Sequence, residues 1–143
     1  MHNHSFAHLD ISLRNVLTDY NRRYAFIDYE TSRRFCQPPV EEGGDPRNGV
    51  LVYQLRAAEV PPEVEQGHPT SPYAMDMWAL GILVSNACAS TGYDVPELRP
   101  VIKRMLEPQW ERRPRAETVL RRFERAIVNM PDERLNETTR ANH

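Results

Sequence analysis

The chain has 143 residues, 40% apolar and 27% charged, a length that holds one domain with its own core but not two. A formal net charge of −2 gives no reason to expect a nucleic acid or an anionic membrane as partner. Two cysteines, Cys36 and Cys88, make no disulfide framework, and the longest apolar run, Met77 to Val84, is too short to span a bilayer.

The chain opens on "MHNHSFAHLDISLRN" without a secretory apolar segment, so the expected setting is cytoplasmic or nuclear, not secreted. His2, His4, His8 and Asp10 offer ligands for a divalent metal. Their spacing fits neither the i, i+4 pairing of a zinc helix nor a two-and-two ligand set. His2 and His4 are expected to be a solvated terminus. Alternatively, His8, Asp10 and Asn15 belong to a phosphoryl-transfer loop. At this point both stand.

Val16 to Leu17 and Tyr24 to Ile27 read as two short strands joined by the turn-rich "TDYNRR". From Arg33 to about Pro62, "QPP" and "EEGGDPRNG" with no helical period predict a long loop. Pro61 and Pro62 can open a short helix ahead of Glu63. Ala74 to Ala89 is apolar almost all round, the pattern of a central helix. Leu98, Val101, Ile102, Met105 and Leu106 share one face of a second helix, whose regular part Pro100 limits at its start. Val119, Leu120, Phe123 and Ile127 mark an amphipathic surface helix. Between Arg99 and Arg125 the arginines alternate with glutamates, the pattern of a solvated surface rather than a nucleic-acid footprint. Residues 129–143 are expected to be a disordered tail. The predicted chain is mainly helical, with a hairpin and a long loop near its front.

"HLDISLRN" fits His-x-Asp-x-x-x-x-Asn, and "FIDYE" follows after the first strand. Phosphoryl transfer needs a carboxylate to orient the attacking hydroxyl and take its proton. It also needs an amide oxygen and a second carboxylate to hold Mg²⁺ against the phosphates. Asp10, Asn15 and Asp28 supply those groups, with the hairpin fixing Asn15 relative to Asp28.

Three later stretches add to this. "PPE" (Pro61 to Glu63) resembles the Ala-Pro-Glu motif of protein kinases, and "DMWALG" (Asp76 to Gly81) their Asp-x-Trp-x-x-Gly. "MLEPQWERRPRAETVL" resembles the kinase stretch whose arginine, here Arg113, pairs with the Glu of Ala-Pro-Glu. Residues 1–128 thus resemble the C-terminal lobe of a eukaryotic-type protein kinase. The resemblance is nearest to divergent fungal kinase-like proteins.

The resemblance implies a mainly α, kinase-like C-lobe with a small β-hairpin and a long activation-segment-like loop, incomplete at its N-terminal side. It implies ATP and Mg²⁺ as cofactors and a protein hydroxyl as acceptor. Asp10 is the implied base, Arg14 the cation facing the phosphate, and Asn15 and Asp28 the nucleotide and metal ligands. Glu63, Asp76 and Arg113 are implied structural residues, and His8 packs beneath Tyr29 instead of binding a metal.

Several positions depart from the family. The Gly-rich loop and the lysine that grips the phosphates are missing; the one lysine, Lys103, lies on the wrong helix. The chain alone is therefore expected to bind ATP poorly and to be inactive. Leu9 replaces the arginine that contacts a phosphorylated loop, Ser12 replaces the catalytic-loop lysine, and Glu30 replaces the glycine after Tyr29. The link from Ala89 to Pro96 leaves no room for a further docking helix. The rival expectation is a pseudokinase or interaction module that meets a protein partner through exposed apolar surface.

Overall fold

Pro72 begins the longest element, α2 (Pro72–Thr91), where a missing N–H costs nothing. It ends where Gly92 takes φ +67 and donates its N–H to the Ala89 carbonyl. The computed structural model describes residues 1–21, 23–35, 59–92 and 95–131. Before α2 come β1 (Phe6–Ala7), β2 (Val16–Thr18), β3 (Tyr24–Phe26), β4 (Arg33–Arg34) and α1 (Pro62–Glu65); after it come α3 (Arg99–Met105) and α4 (Ala116–Val128). The described part is mainly helical, as expected. Among the described residues no helix is long and apolar enough to cross a membrane.

The main core forms where α2, α3 and α4 meet. Met77, Val101, Met105 and Val119 are buried together, with Leu80, Ile102 and Ala116 packed against them. Gly81 lets α3 approach: a Cβ there would lie 2.8 Å from Leu106 Cδ2 and 3.1 Å from Met105 Cβ. Leu106 can swing aside, but Met105 Cβ is fixed to its backbone. Gly81→Val is therefore expected to destabilise the chain by about 1–3 kcal/mol through overpacking. An unchanged midpoint in chemical denaturation would remove this close contact from the account.

Burial along α2 is uneven. Pro72 to Met77 are buried, while Ile82, Leu83 and Val84 are only half-buried. The expectation of neighbours all round holds for the front of the helix and fails beyond Gly81. On α4, Val119 is buried, but Leu120 and Phe123 are 54% and 40% exposed. They line an apolar groove of about 270 Å³ between α2, α3 and α4. Leu98 precedes α3 in a 3-10 turn (Pro96–Leu98), and Pro100 sits in α3's first turn.

A second cluster, Ala7, Leu9 and Tyr73 with Phe35 against them, fastens the front of the chain to α2. The hairpin forms with Val16 opposite Phe26, Leu17 opposite Ala25 and Thr18 opposite Tyr24. Its turn is held by the Asp19 carboxylate, which accepts the N–H groups of Asn21 and Arg23 at 2.8 and 3.1 Å.

Two expectations need correction here. Arg33 and Arg34 are not loop: they pair antiparallel with Ala7 and Phe6 as β4, so backbone hydrogen bonding, to which the side-chain pattern is blind, decides the outcome. The start of the expected tail is also structured, since Asn129 Nδ2 donates to the Arg125 carbonyl and Met130 N–H to that of Ile127. Most of the predicted long loop and of the tail, residues 36–58 and 132–143, lies outside the described residues.

Candidate active site

The site is built on Asp76. One turn into α2, its carboxylate is buried at 2% exposure and faces the chain's first ten residues. Oδ2 accepts the His8 N–H and Oδ1 the Leu9 N–H, both at 2.8 Å. Leu9 has φ +66, a left-handed conformation that a branched side chain resists. The two charge-assisted bonds hold it there and so fix how the loop continues into Asp10.

His2 completes this arrangement. Its Nε2 lies 2.8 Å from Asp76 Oδ2, and its ring meets Tyr73 edge-on with centroids 5.0 Å apart. The expectation that His2 is a solvated terminus is therefore wrong. A residue 74 positions from its partner leaves no local signal in the sequence. His4 is exposed, as expected. Among the described residues, no three of the His, Cys, Asp and Glu side chains gather as a metal site.

His8 is 1% exposed and packs against Tyr29 and Phe26, with ring centroids at 4.9 and 5.7 Å. Its Nδ1 accepts the Asp10 N–H at 3.3 Å, which puts the proton of a neutral ring on Nε2. The His8 carbonyl accepts the hydroxyls of Thr31 and Ser32 at 2.9 and 3.3 Å, contacts the sequence reading missed. His8 packs beneath Tyr29, but its Nε2 is buried without a hydrogen-bond partner among the described residues.

Asp10, Arg14 and Asn15 come together on the loop that follows. Ser12 leads into a 3-10 turn (Leu13–Asn15), which curls Asn15 back so that Nδ2 donates at 2.9 Å to both the carbonyl and Oδ2 of Asp10. Arg14 Nη2 reaches the same carboxylate at 3.3 and 3.4 Å while its side chain stays 67% exposed. The Ile27 N–H donates to the Asn15 carbonyl at 2.9 Å, so Asp28 follows directly on the bond that ties β3 to the Asn15 turn. Asp28 is exposed and has φ +61.

Glu63 and Arg113 are both buried, at 8% and 1% exposure. Arg113 Nη1 meets Oε1 at 2.6 Å and Nη2 meets Oε2 at 2.7 Å, a two-pronged pair. The Thr70 hydroxyl donates to Oε1, Arg113 Nε donates to the Glu107 carbonyl, and the guanidinium lies 4.8 Å from the Trp78 ring centre. The pair fastens the start of α1 to the turn before α4.

No family model matches the sequence. Over 113 residues it is 33% identical to testis-specific serine/threonine-protein kinase 2 of Mus musculus, covering 78% of this chain and 29% of that protein. It is 32% identical over 117 residues to the mouse testis-specific serine/threonine-protein kinase 1, with the same two coverages. The mouse serine/threonine-protein kinase SIK1 is 31% identical over 107 residues, covering 74% of this chain and 13% of the kinase. This chain is similar to a part of serine/threonine protein kinases. It spans less than a third of the length of these curated relatives. The narrower likeness to fungal kinase-like proteins finds no support in these matches.

Proposed function

We propose that this chain carries the catalytic loop and metal-ligand hairpin of a protein kinase, a phosphotransferase acting on protein hydroxyls. The observation that carries the reading is the bond from Asn15 Nδ2 to Asp10 Oδ2, on a loop pinned by Asp76. It orients one carboxylate and turns an amide oxygen away from it. The partial similarity to serine/threonine kinases supports the same reading.

In this mechanism Asp10 accepts the proton of the attacking hydroxyl. Asn15 and Arg14 hold its carboxylate in place. With Nδ2 committed to Asp10, Asn15 retains Oδ1 as an oxygen ligand, and the exposed Asp28 supplies a carboxylate. One carboxylate with one amide oxygen suits Mg²⁺, which takes few protein ligands and completes its shell with phosphates and water. When bound, Mg·ATP supplies the phosphoryl group and screens its charge. Arg14, exposed and held by long contacts, can turn its guanidinium towards a phosphate.

Arg14 is the one cation described on this loop, so nucleotide binding by the chain alone is expected to be weak, with no measurable rise in melting temperature. A paramagnetic probe tests the site at such occupancy. At millimolar Mn²⁺·ATP, amide resonances of residues 15–17 and 26–28 should broaden, and Asp28→Ala should abolish the effect. Broadening that persists in Asp28→Ala, or none at all, removes the assignment.

A second reading, an interaction module without catalysis, draws on one observation. Both oxygens of the Asp10 carboxylate already accept hydrogen bonds from Arg14 and Asn15.

A further inference from the structure

The Glu63–Arg113 pair holds together the two walls of a pocket of about 390 Å³. One wall is Pro62, Glu63 and Gln66 at α1, continued by His68 and Pro69. The other runs from Pro108 to Glu111, into a 3-10 turn (Trp110–Arg112). Both walls are fixed from behind. The His68 N–H donates to the Glu63 carbonyl at 2.7 Å, and Arg113 Nη2 donates to the Pro108 carbonyl at 3.3 Å. No residue of the Asp10 loop lines this pocket.

Its lining is rich in donors. Pro62, Pro69 and Pro108 present apolar rings without an N–H. Trp110 is half-buried, and its indole N–H meets no acceptor among the described residues. The side chains of Gln66, His68 and Gln109 are exposed and also make no hydrogen bond among the described residues. Glu63 is matched by Arg113, whereas the exposed Glu111 has no ion-pair partner among the described residues. The Glu111 carboxylate is the unbalanced charge.

We propose that this pocket docks a proline-rich segment of a partner protein, held in the polyproline II conformation with an arginine or lysine at one end. Such a segment has carbonyls but no proline N–H, and its backbone makes no internal hydrogen bonds. It is an acceptor-only surface, which the indole, carboxamide and imidazole N–H groups of the lining can meet. Its rings can stack on Trp110 and pack against the three prolines. The basic side chain answers Glu111, where an acidic one would meet like charge. A helical partner fits less well, because its backbone carbonyls are already paired within the helix. The segment is stiff and the walls are fixed, so little freedom is lost when they meet. The inference goes beyond the phosphotransferase reading and does not depend on it.

The test is peptide binding to the full 143-residue chain, read by fluorescence anisotropy. Three labelled probes are compared: a proline peptide ending in arginine, the same peptide ending in glutamate, and an alanine–glycine peptide ending in arginine. The first should bind about tenfold more tightly than either of the others. Glu111→Gln should remove the preference for arginine over glutamate and keep the preference for proline. Trp110→Phe keeps a ring but loses the indole N–H, and should weaken the proline–arginine peptide about fivefold. Glu65→Gln, an exposed change outside the pocket, should alter neither preference. The chain has two tryptophans, so a second readout is direct: the peptide should shift the indole N–H resonance of Trp110 and leave that of Trp78 in place. Equal affinity for the three probes, no binding of any, or equal effects of Glu111→Gln and Glu65→Gln would overturn the proposal. So would an alanine–glycine–arginine peptide that binds as tightly as the proline one, since the pocket would then take a bare cation. Circular dichroism of each variant separates lost recognition from lost structure, and the exposed Glu111 provides a variant that keeps the core intact.

Discussion

Glu63→Ala should abolish soluble expression of the chain, while Glu65→Ala, two residues away and exposed, should leave it unchanged. Removing the Glu63 side chain leaves the Arg113 guanidinium buried with both carboxylate contacts gone. Carbonyls of Glu107, Ala74 and Pro108 still accept from it, but they carry no compensating charge. Breaking one side of such a buried pair costs about 3–5 kcal/mol. A domain of this size is stable by about 5–15 kcal/mol, so the loss takes a large share. Thr70 would lose its acceptor as well. Arg113→Lys should be intermediate, because an ammonium keeps the charge but not the two-pronged geometry. Measured soluble yield and thermal midpoint decide the matter. If Glu63→Ala and Glu65→Ala behave alike, the pair does not anchor the fold.

That pair was legible in the sequence because each partner sits in a motif, even though 50 positions separate them. Asp10 and Asn15 were recognised as two positions of one motif, but the bond between their side chains was not expected from the sequence. Asp76 was recognised as a position, but its partners were not. They are backbone amides, and every residue except proline has one, so the sequence carries no mark of which amides will be used. His2 was misread for a related reason: its surroundings by sequence are polar and terminal, and its surroundings in space are Asp76 and Tyr73. The apolar run from Ile82 to Val84 shows a further limit. A hydrophobic pattern records what a helix surface would bury, while half-burial records how much neighbouring surface arrives.

Asp76→Ala should release the loop that carries Asp10. The carboxylate receives the His8 and Leu9 amides and the His2 ring, and no other polar group in the fold is described as meeting either amide. Alanine leaves two buried N–H donors without an acceptor, at about 1–3 kcal/mol for each that stays dry. Leu9 then keeps a left-handed backbone with nothing to hold it, a conformation that costs on the order of 1–3 kcal/mol by itself. The loop should relieve both penalties by opening towards water. Backbone amides of residues 8 and 9 should therefore exchange with solvent much faster in Asp76→Ala, and the change should extend to Asn15, whose bond to Asp10 depends on the loop's course. Asp76→Asn keeps one carbonyl oxygen and puts an NH₂ where the other acceptor was, so it should fall between alanine and the unaltered chain. His2→Ala removes only the part-buried contact and should have the smallest effect of the three. Protection of the residue 8 and 9 amides that is unchanged in Asp76→Ala would show that the loop is held from elsewhere.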